Sequence, residues 1–219
     1  VVSGKFIGAN TVLSAREITR SFGATLANDR VSFDVSAGEI VGLVGENGAG
    51  KSTLLSIMAG FLRPDAGSLA MNGQQVAFSS SAAALEAGIG LVHQHLSLVT
   101  AFTVREQLRL AGWTRADLPD MLATDFHGAE VIENLPMGRR QRVEIARAMV
   151  GAPNVLLLDE PTTILAPAEV GALFDTIRTL SAQGTAIVIV THKLREVMAL
   201  ADRVVVMAGG RVTGSFVRE

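Results

Sequence analysis

The sequence predicts an α/β domain: a mostly parallel sheet wrapped by helices. Three observations predict it. Short aliphatic runs such as Ile40–Val44, Val155–Leu158 and Ala186–Val190 have the look of strands buried on both faces. Helical patterns lie between those runs, the alternation that builds parallel sheets. Glycine is plentiful at 22 residues while aromatics make up 5%, a mix that suits tight strand-to-helix turns. At 219 residues and 48% apolar, the chain can build one substantial core with a small attached subdomain.

Taken in order, Val12–Ile18 and Val31–Val35 alternate β-branched and polar residues and predict half-buried strands. Ile40–Val44 leads through a glycine-rich turn into Ser52–Ala59, which has helical character. Gly67–Met71 and Ile89–Val92 are further short strands. From Thr103 to about Leu135 the texture changes to Leu, Arg, Glu and Ala at helical spacing, predicting a helical insertion. Then follow a helix at Arg140–Met149, the strand Val155–Leu158, a helix at Ala168–Leu180 and the strand Ala186–Val190. A helix at Leu194–Leu200 and a strand pair near Val204–Met207 and Arg211–Phe216 complete the alternation.

Composition narrows the function classes. The formal charge of −2 gives no general reason to expect nucleic acid as a partner, although a local basic patch can hide in a neutral total. Without cysteine there is neither a disulfide framework nor a thiolate metal site, which fits a reducing compartment. The apolar runs fall well short of the roughly 20 residues that cross a bilayer, and no charged-then-apolar leader is visible, so the chain reads as soluble. It begins at Val1 rather than methionine, which reads as a processed, trimmed or excised piece.

Gly45-Glu46-Asn47-Gly48-Ala49-Gly50-Lys51-Ser52-Thr53 matches G-x-x-x-x-G-K-[ST] in full, between an aliphatic strand and a helix. Glycines let the backbone fold back so that successive N–H groups point inward at phosphate oxygens. Lys51 is expected to reach the β- and γ-phosphates of ATP, and the Ser52 hydroxyl to coordinate Mg²⁺. The helix after the loop turns its positive dipole end towards the anion.

The strand Val155–Leu158 ends in Asp159 and Glu160. Ligands of open α/β sheets bind at strand C-termini. Asp159 suits the Mg²⁺ shell, and Glu160 stands where it can polarise a water for attack on the γ-phosphate. A solvated strand end is the plain alternative, and the pair gains force only from the phosphate loop upstream.

With both elements in place, the chain resembles the nucleotide-binding domain of ABC (ATP-binding cassette) transporters, from about Leu13 to about Phe216. The resemblance implies one P-loop NTPase domain of ABC type over 1–219. Its ATPase core would be 1–94 and 136–219, including an N-terminal antiparallel β subdomain, with a compact helical subdomain at about 95–135. It implies that Phe22, 29 positions before Lys51, stacks on adenine. Gln94 would touch Mg²⁺ and water and relay nucleotide state to a membrane partner. Pro161-Thr162 completes an Asp-Glu-Pro-Thr run, and His192 would contact the γ-phosphate after the run Ala186–Val190. Singly, these are an ordinary aromatic, a surface amide and a strand-end histidine; their order carries the resemblance. His93, His95 and His127 read as ordinary histidines, Trp113 as packing, and no His/Asp/Glu cluster suggests zinc.

The chain departs from the family at the signature loop. Leu135-Pro136-Met137-Gly138-Arg139 stands where relatives carry Leu-Ser-Gly-Gly-Gln, although Gln141–Ile145 beyond it matches well. In the family this loop clamps the γ-phosphate held by the opposite cassette, and Pro136 offers neither hydroxyl nor N–H. Two outcomes are open: an attenuated composite site, or sufficient anion binding from Gly138 and the following helix. Ala166 replaces an aspartate that many relatives carry, and the link from Gln94 to Pro136 is short for the family. The short link implies a compact helical subdomain, while the Leu165-Ala166-Pro167 ending and Met137 in place of the signature's first glycine resemble the first cassette of simple-sugar and nucleoside importer ATPases, in which two cassettes are commonly fused.

The implied function is MgATP binding and hydrolysis at a cassette–cassette interface to drive solute import. Implied partners are a second cassette, transmembrane permease subunits and, indirectly, a solute-binding protein. The implied location is cytoplasmic, peripheral on the inner face of the cell membrane. Rival readings are a non-transport ABC ATPase, whose long charged linker or coiled-coil insertion is not seen in these residues, and a regulatory cassette without useful hydrolysis.

Overall fold

Alternate residues of an aliphatic strand face opposite ways, and here that divides the interior into two cores. The computed structural model describes residues 10–114 and 128–218. Residues 115–127, part of the expected helical insertion and including His127, lie outside the described residues. In chain order the elements are β1 (Thr11–Phe22), β2 (Thr25–Ser36), β3 (Ile40–Val44), α1 (Lys51–Met58), β4 (Ala66–Met71), β5 (Gln74–Val76), α2 (Ser81–Glu86), β6 (Ile89–Val92) and α3 (Val104–Leu110). A 3₁₀ turn (Ile132–Asn134) follows, then α4 (Met137–Ala148), β7 (Val155–Asp159), α5 (Pro167–Ala182), β8 (Ala186–Thr191), α6 (Leu194–Leu200), β9 (Arg203–Ala208) and β10 (Arg211–Val217).

Among the described residues six strands form one sheet in the order β10-β9-β3-β8-β7-β6, parallel except for antiparallel β10. The other sheet is antiparallel, β2-β1-β4-β5. In β7, Val155 and Leu157 join a core with α1 and the antiparallel sheet, including Leu13, Phe33, Leu54 and Met58. Leu156 and Leu158 join the opposite core with α4, α5 and α6, including Val143, Leu173, Ile177 and Val197. Burying a Leu or Val side chain is worth about 1.5–3 kcal/mol, so strands apolar on both faces are held where they are.

Several elements depart from the sequence pattern. β1 and β2 each run for 12 residues, well past the alternating segments, because they pair up to Phe22↔Thr25 around a tight turn. β5 and α2 were not signalled: β5 contains two exposed glutamines, and α2 is a six-residue helix started by Ser80, whose hydroxyl accepts from Ala83 N–H at 3.2 Å. α4 starts at Met137, three residues before the expected Arg140.

Candidate functional site

The C-terminal ends of β3, β8, β7 and β6 lie side by side, and chemistry-bearing residues follow each. Register places Val44 opposite Thr191, Asp159 opposite Val190, and Val92 opposite Leu158. The segments that continue from these pairs therefore open on one edge: Gly45–Gly50 from β3, His192 from β8, Glu160 from β7 and Gln94 from β6.

In the loop, Gly50 is left-handed at φ 95° and ends at the first turn of α1. A Cβ there would stand 2.1 Å from Ala27 O, so β2 packs directly against the loop and only glycine fits. Asn28, fully buried on β2, donates from Nδ2 to Gly50 O at 3.1 Å, while its Oδ1 has no hydrogen-bond partner among the described residues. Lys51 is 5% exposed; its ammonium donates to Gly45 O at 2.8 Å and Glu46 O at 2.9 Å. Glu46, Asn47 and Gly48 are exposed, Ala49 is buried, and Ser52 and Thr53 lie in the first turn of α1.

Across from the loop, the Ser52 hydroxyl donates to Asp159 Oδ1 at 3.3 Å. Burial raises the Asp159 pKa, assisted by the Glu160 charge and opposed by the Ser52 hydrogen bond and by His93 and Lys51. Glu160 is held by three side chains: His192 Nδ1 stands 3.0 Å from Oε1, and Thr163 Oγ1 and Gln94 Nε2 donate to Oε2 at 3.0 and 3.4 Å. Burial pushes its pKa up, but the His192 and Thr163 hydrogen bonds and the His192 and Lys51 charges outweigh it, and the net shift is downward. Glu160 is therefore ionised at neutral pH. Its φ of 47° is a left-handed conformation for a side-chain-bearing residue, costing about 1–3 kcal/mol. Glu160 N–H donates to Val190 O at 2.8 Å, which ties that bend to β8.

The loop Leu135–Arg139 opens α4. Leu135 is buried, Pro136 and Met137 are exposed, and Pro136 is the N-cap without any side-chain cap bond. Gly138 N–H donates to Glu169 Oε1 at 2.9 Å, and a Cβ at Gly138 would stand 2.7 Å from that oxygen. Glu169 Oε2 accepts from Ala166 N–H at 3.0 Å, so one carboxylate bridges α4 and the start of α5. Arg139 pairs with Glu130 at 2.7 Å. Phe22, at the tip of the β1–β2 turn, is 47% exposed.

Sequence reasoning missed Glu169, Asn28 and Glu144. Glu169, three residues after the N-cap Ala166, had only half of a local signal: its carboxylate accepts from the N-cap N–H, but alanine has no hydroxyl to complete a capping box. Asn28 had none. Glu144 is 1% exposed on α4 and accepts from Ser97 N–H and from Ser97 Oγ, with Arg147 Nε at 2.8 Å, so it anchors the segment just after Gln94. Glu144→Ala is expected to lower unfolding stability by about 2–4 kcal/mol, read as a reduced denaturation midpoint. A change below about 0.5 kcal/mol would show that the anchor is idle.

A family model described as "ABC transporter" matches residues 28–163. "Nucleoside import ATP-binding protein NupA" of Lactococcus lactis subsp. cremoris (strain MG1363) is 37% identical over 215 residues, covering 92% of this chain and 42% of its own length. "Arabinose import ATP-binding protein AraG 2" of Burkholderia ambifaria is 42% identical over 219 residues, covering 94% and 42%. The chain thus spans 42% of the length of both relatives. Among solved structures, a nucleotide-free ATP-binding cassette from an ABC transporter superposes with a TM-score of 0.85 at 25% identity, covering 95% of this chain and 92% of that one.

Proposed function

Because this chain belongs to the ABC transporter family as an ATP-binding cassette, we propose that it binds and hydrolyses MgATP at an interface with a second cassette, driving import of a simple sugar or nucleoside. The observation that carries this reading is the convergence of Ser52 with Asp159 at 3.3 Å and of Glu160 with His192 at 3.0 Å beside the Lys51 loop. The relatives' names, nucleoside and arabinose import ATP-binding proteins, support the solute class.

ATP lies with its phosphates on the amides of Gly45–Thr53, and the Lys51 ammonium turns from its carbonyl contacts to the β- and γ-oxygens. Phe22 takes the adenine. Ser52 Oγ and Asp159 supply hard oxygen donors, which suits Mg²⁺, an ion bound through one or two protein groups plus phosphates and water. When bound, Mg²⁺ neutralises charge on the phosphate oxygens. Glu160, ionised and oriented by His192, Thr163 and Gln94, accepts the proton of the attacking water. His192 holds the phosphate and water geometry. ATP contacts made only when two cassettes close bias that equilibrium, and hydrolysis removes them.

No helix among the described residues is long and apolar enough to cross a membrane. Permease subunits carry the solute in this reading, with a binding protein acting on them and the cassette peripheral on the cytoplasmic face. A groove lined by Gln94, Leu98, Ile132, Met137, Arg140 and Ile164 supports a permease contact beside the nucleotide-sensing glutamine. Titrating the full chain with MgATP by calorimetry, and assaying phosphate release from the assembled complex, tests the proposal. Absence of both signals would overturn it.

Of the two outcomes open for the signature loop, the attenuated site is favoured. Pro136 has no donor, and the Gly138 amide is already engaged by Glu169. Pro136→Ser is expected to raise turnover of the complex about tenfold, the lower end of what a charge-assisted hydrogen bond contributes. It should also add about 0.5–1 kcal/mol of stability by capping α4. Unchanged turnover in a stabilised variant would show that the loop clamps phosphate without a hydroxyl.

A further inference from the structure

We infer that Arg20 is a positioning residue for the nucleotide base, holding the Phe22 ring in place from one face while the base stacks on the other. The inference rests on the reading that Phe22 meets adenine. Arg20 and Phe22 are two apart on β1 and so share a face of the strand. The guanidinium carbon lies 5.0 Å from the ring centroid, within cation–π range.

The guanidinium is itself held. Arg20 Nη1 pairs with Asp65 Oδ1 at 2.7 Å, and Asp65 is joined to β1 twice more. Its Oδ2 accepts from Ser21 N–H at 2.7 Å, and its own N–H donates to Thr19 O at 2.8 Å. Arg20 Nε is buried without a hydrogen-bond partner among the described residues, so ring and carboxylate, not a full set of hydrogen bonds, set the side chain's position. Phe22 remains 47% exposed, leaving ring surface for a second planar group.

The platform is also tied to the phosphate end. Arg20 pairs with Asn28 across the hairpin, and Asn28 donates to Gly50 O at 3.1 Å. One hairpin therefore carries the aromatic at its tip and rests on the phosphate loop further along. A ring fixed by a cation on one face loses less freedom when a purine stacks on the other, and the cation draws on the same π system.

The test is calorimetric titration of the full chain with ATP and, separately, with inorganic triphosphate, which lacks a base. Arg20→Met is expected to weaken ATP binding about two- to fivefold and leave triphosphate binding unchanged. Arg20→Lys, which keeps the charge but not the planar stack, should weaken ATP binding by less and serves if the methionine variant does not fold. Phe22→Ala should weaken ATP binding more, and Arg20→Met should add nothing in that background. Equal loss for ATP and triphosphate, an Arg20 effect that persists without the ring, or no Arg20 effect while Phe22→Ala still weakens ATP would each overturn the inference alone. No effect of Phe22→Ala would overturn it together with the adenine reading.

Discussion

Lys51→Ala is expected to abolish MgATP binding at concentrations the parent chain binds, with a loss of about 3–4 kcal/mol, on the order of 10²–10³ in affinity. The size follows from losing a buried ammonium placed to make charge-assisted hydrogen bonds to two phosphate groups. Folding should be little affected. Among the described residues Lys51 donates only to Gly45 O and Glu46 O, on a loop whose neighbouring positions face solvent, and alanine is a good helix former at the start of α1. Calorimetry beside a thermal melt separates the two effects. A variant that melts like the parent and still binds MgATP with parental affinity would remove the loop from phosphate binding.

Glu160→Gln is expected to lower phosphate release by about 10²–10⁴-fold, the usual contribution of a positioned general base, while ATP binding persists or tightens. Gln matches Glu in size, and the left-handed backbone at this position strains both alike. What changes is charge and basicity. The carboxylate accepts from Thr163 and Gln94 and faces His192, and it is anionic at neutral pH because these partners outweigh its burial. Its pKa lies below the ordinary carboxylate range, so turnover between about pH 6 and 8 should show no limb from its protonation. Trapping of a closed two-cassette state by the Gln variant in MgATP, read by size-exclusion chromatography or crosslinking of the complex, is the companion result. Parental turnover in the assembled Gln variant would take Glu160 out of the water-activating role.

The α/β alternation was legible because buried parallel strands need uninterrupted aliphatic runs, and β3, β7 and β8 are such runs, each matched to within a residue. β5 and α2 were illegible for the opposite reason. A three-residue edge strand and a short surface helix bury too little to leave a hydrophobic period. The early start of α4 was hidden by Pro136, which can precede a helix as readily as end one.

The proposed phosphate end of the site was readable from one stretch of the chain. Its amides, ammonium and hydroxyl fall within nine consecutive residues, so spacing along the chain is spacing in the fold. The sequence also marked Asp159, Glu160, Gln94 and His192 as candidates, each just beyond or at the end of a strand. Which of them meet depends on the packed fold: Ser52 reaches Asp159 across 107 residues, and Glu160 reaches His192 because β7 and β8 pair in one register. The same holds for Glu169 on the Gly138 amide, 31 residues apart, and for Asp65 on Arg20, 45 apart. Strand register and helix packing are settled by burial of the whole core, and no local stretch of sequence carries that information.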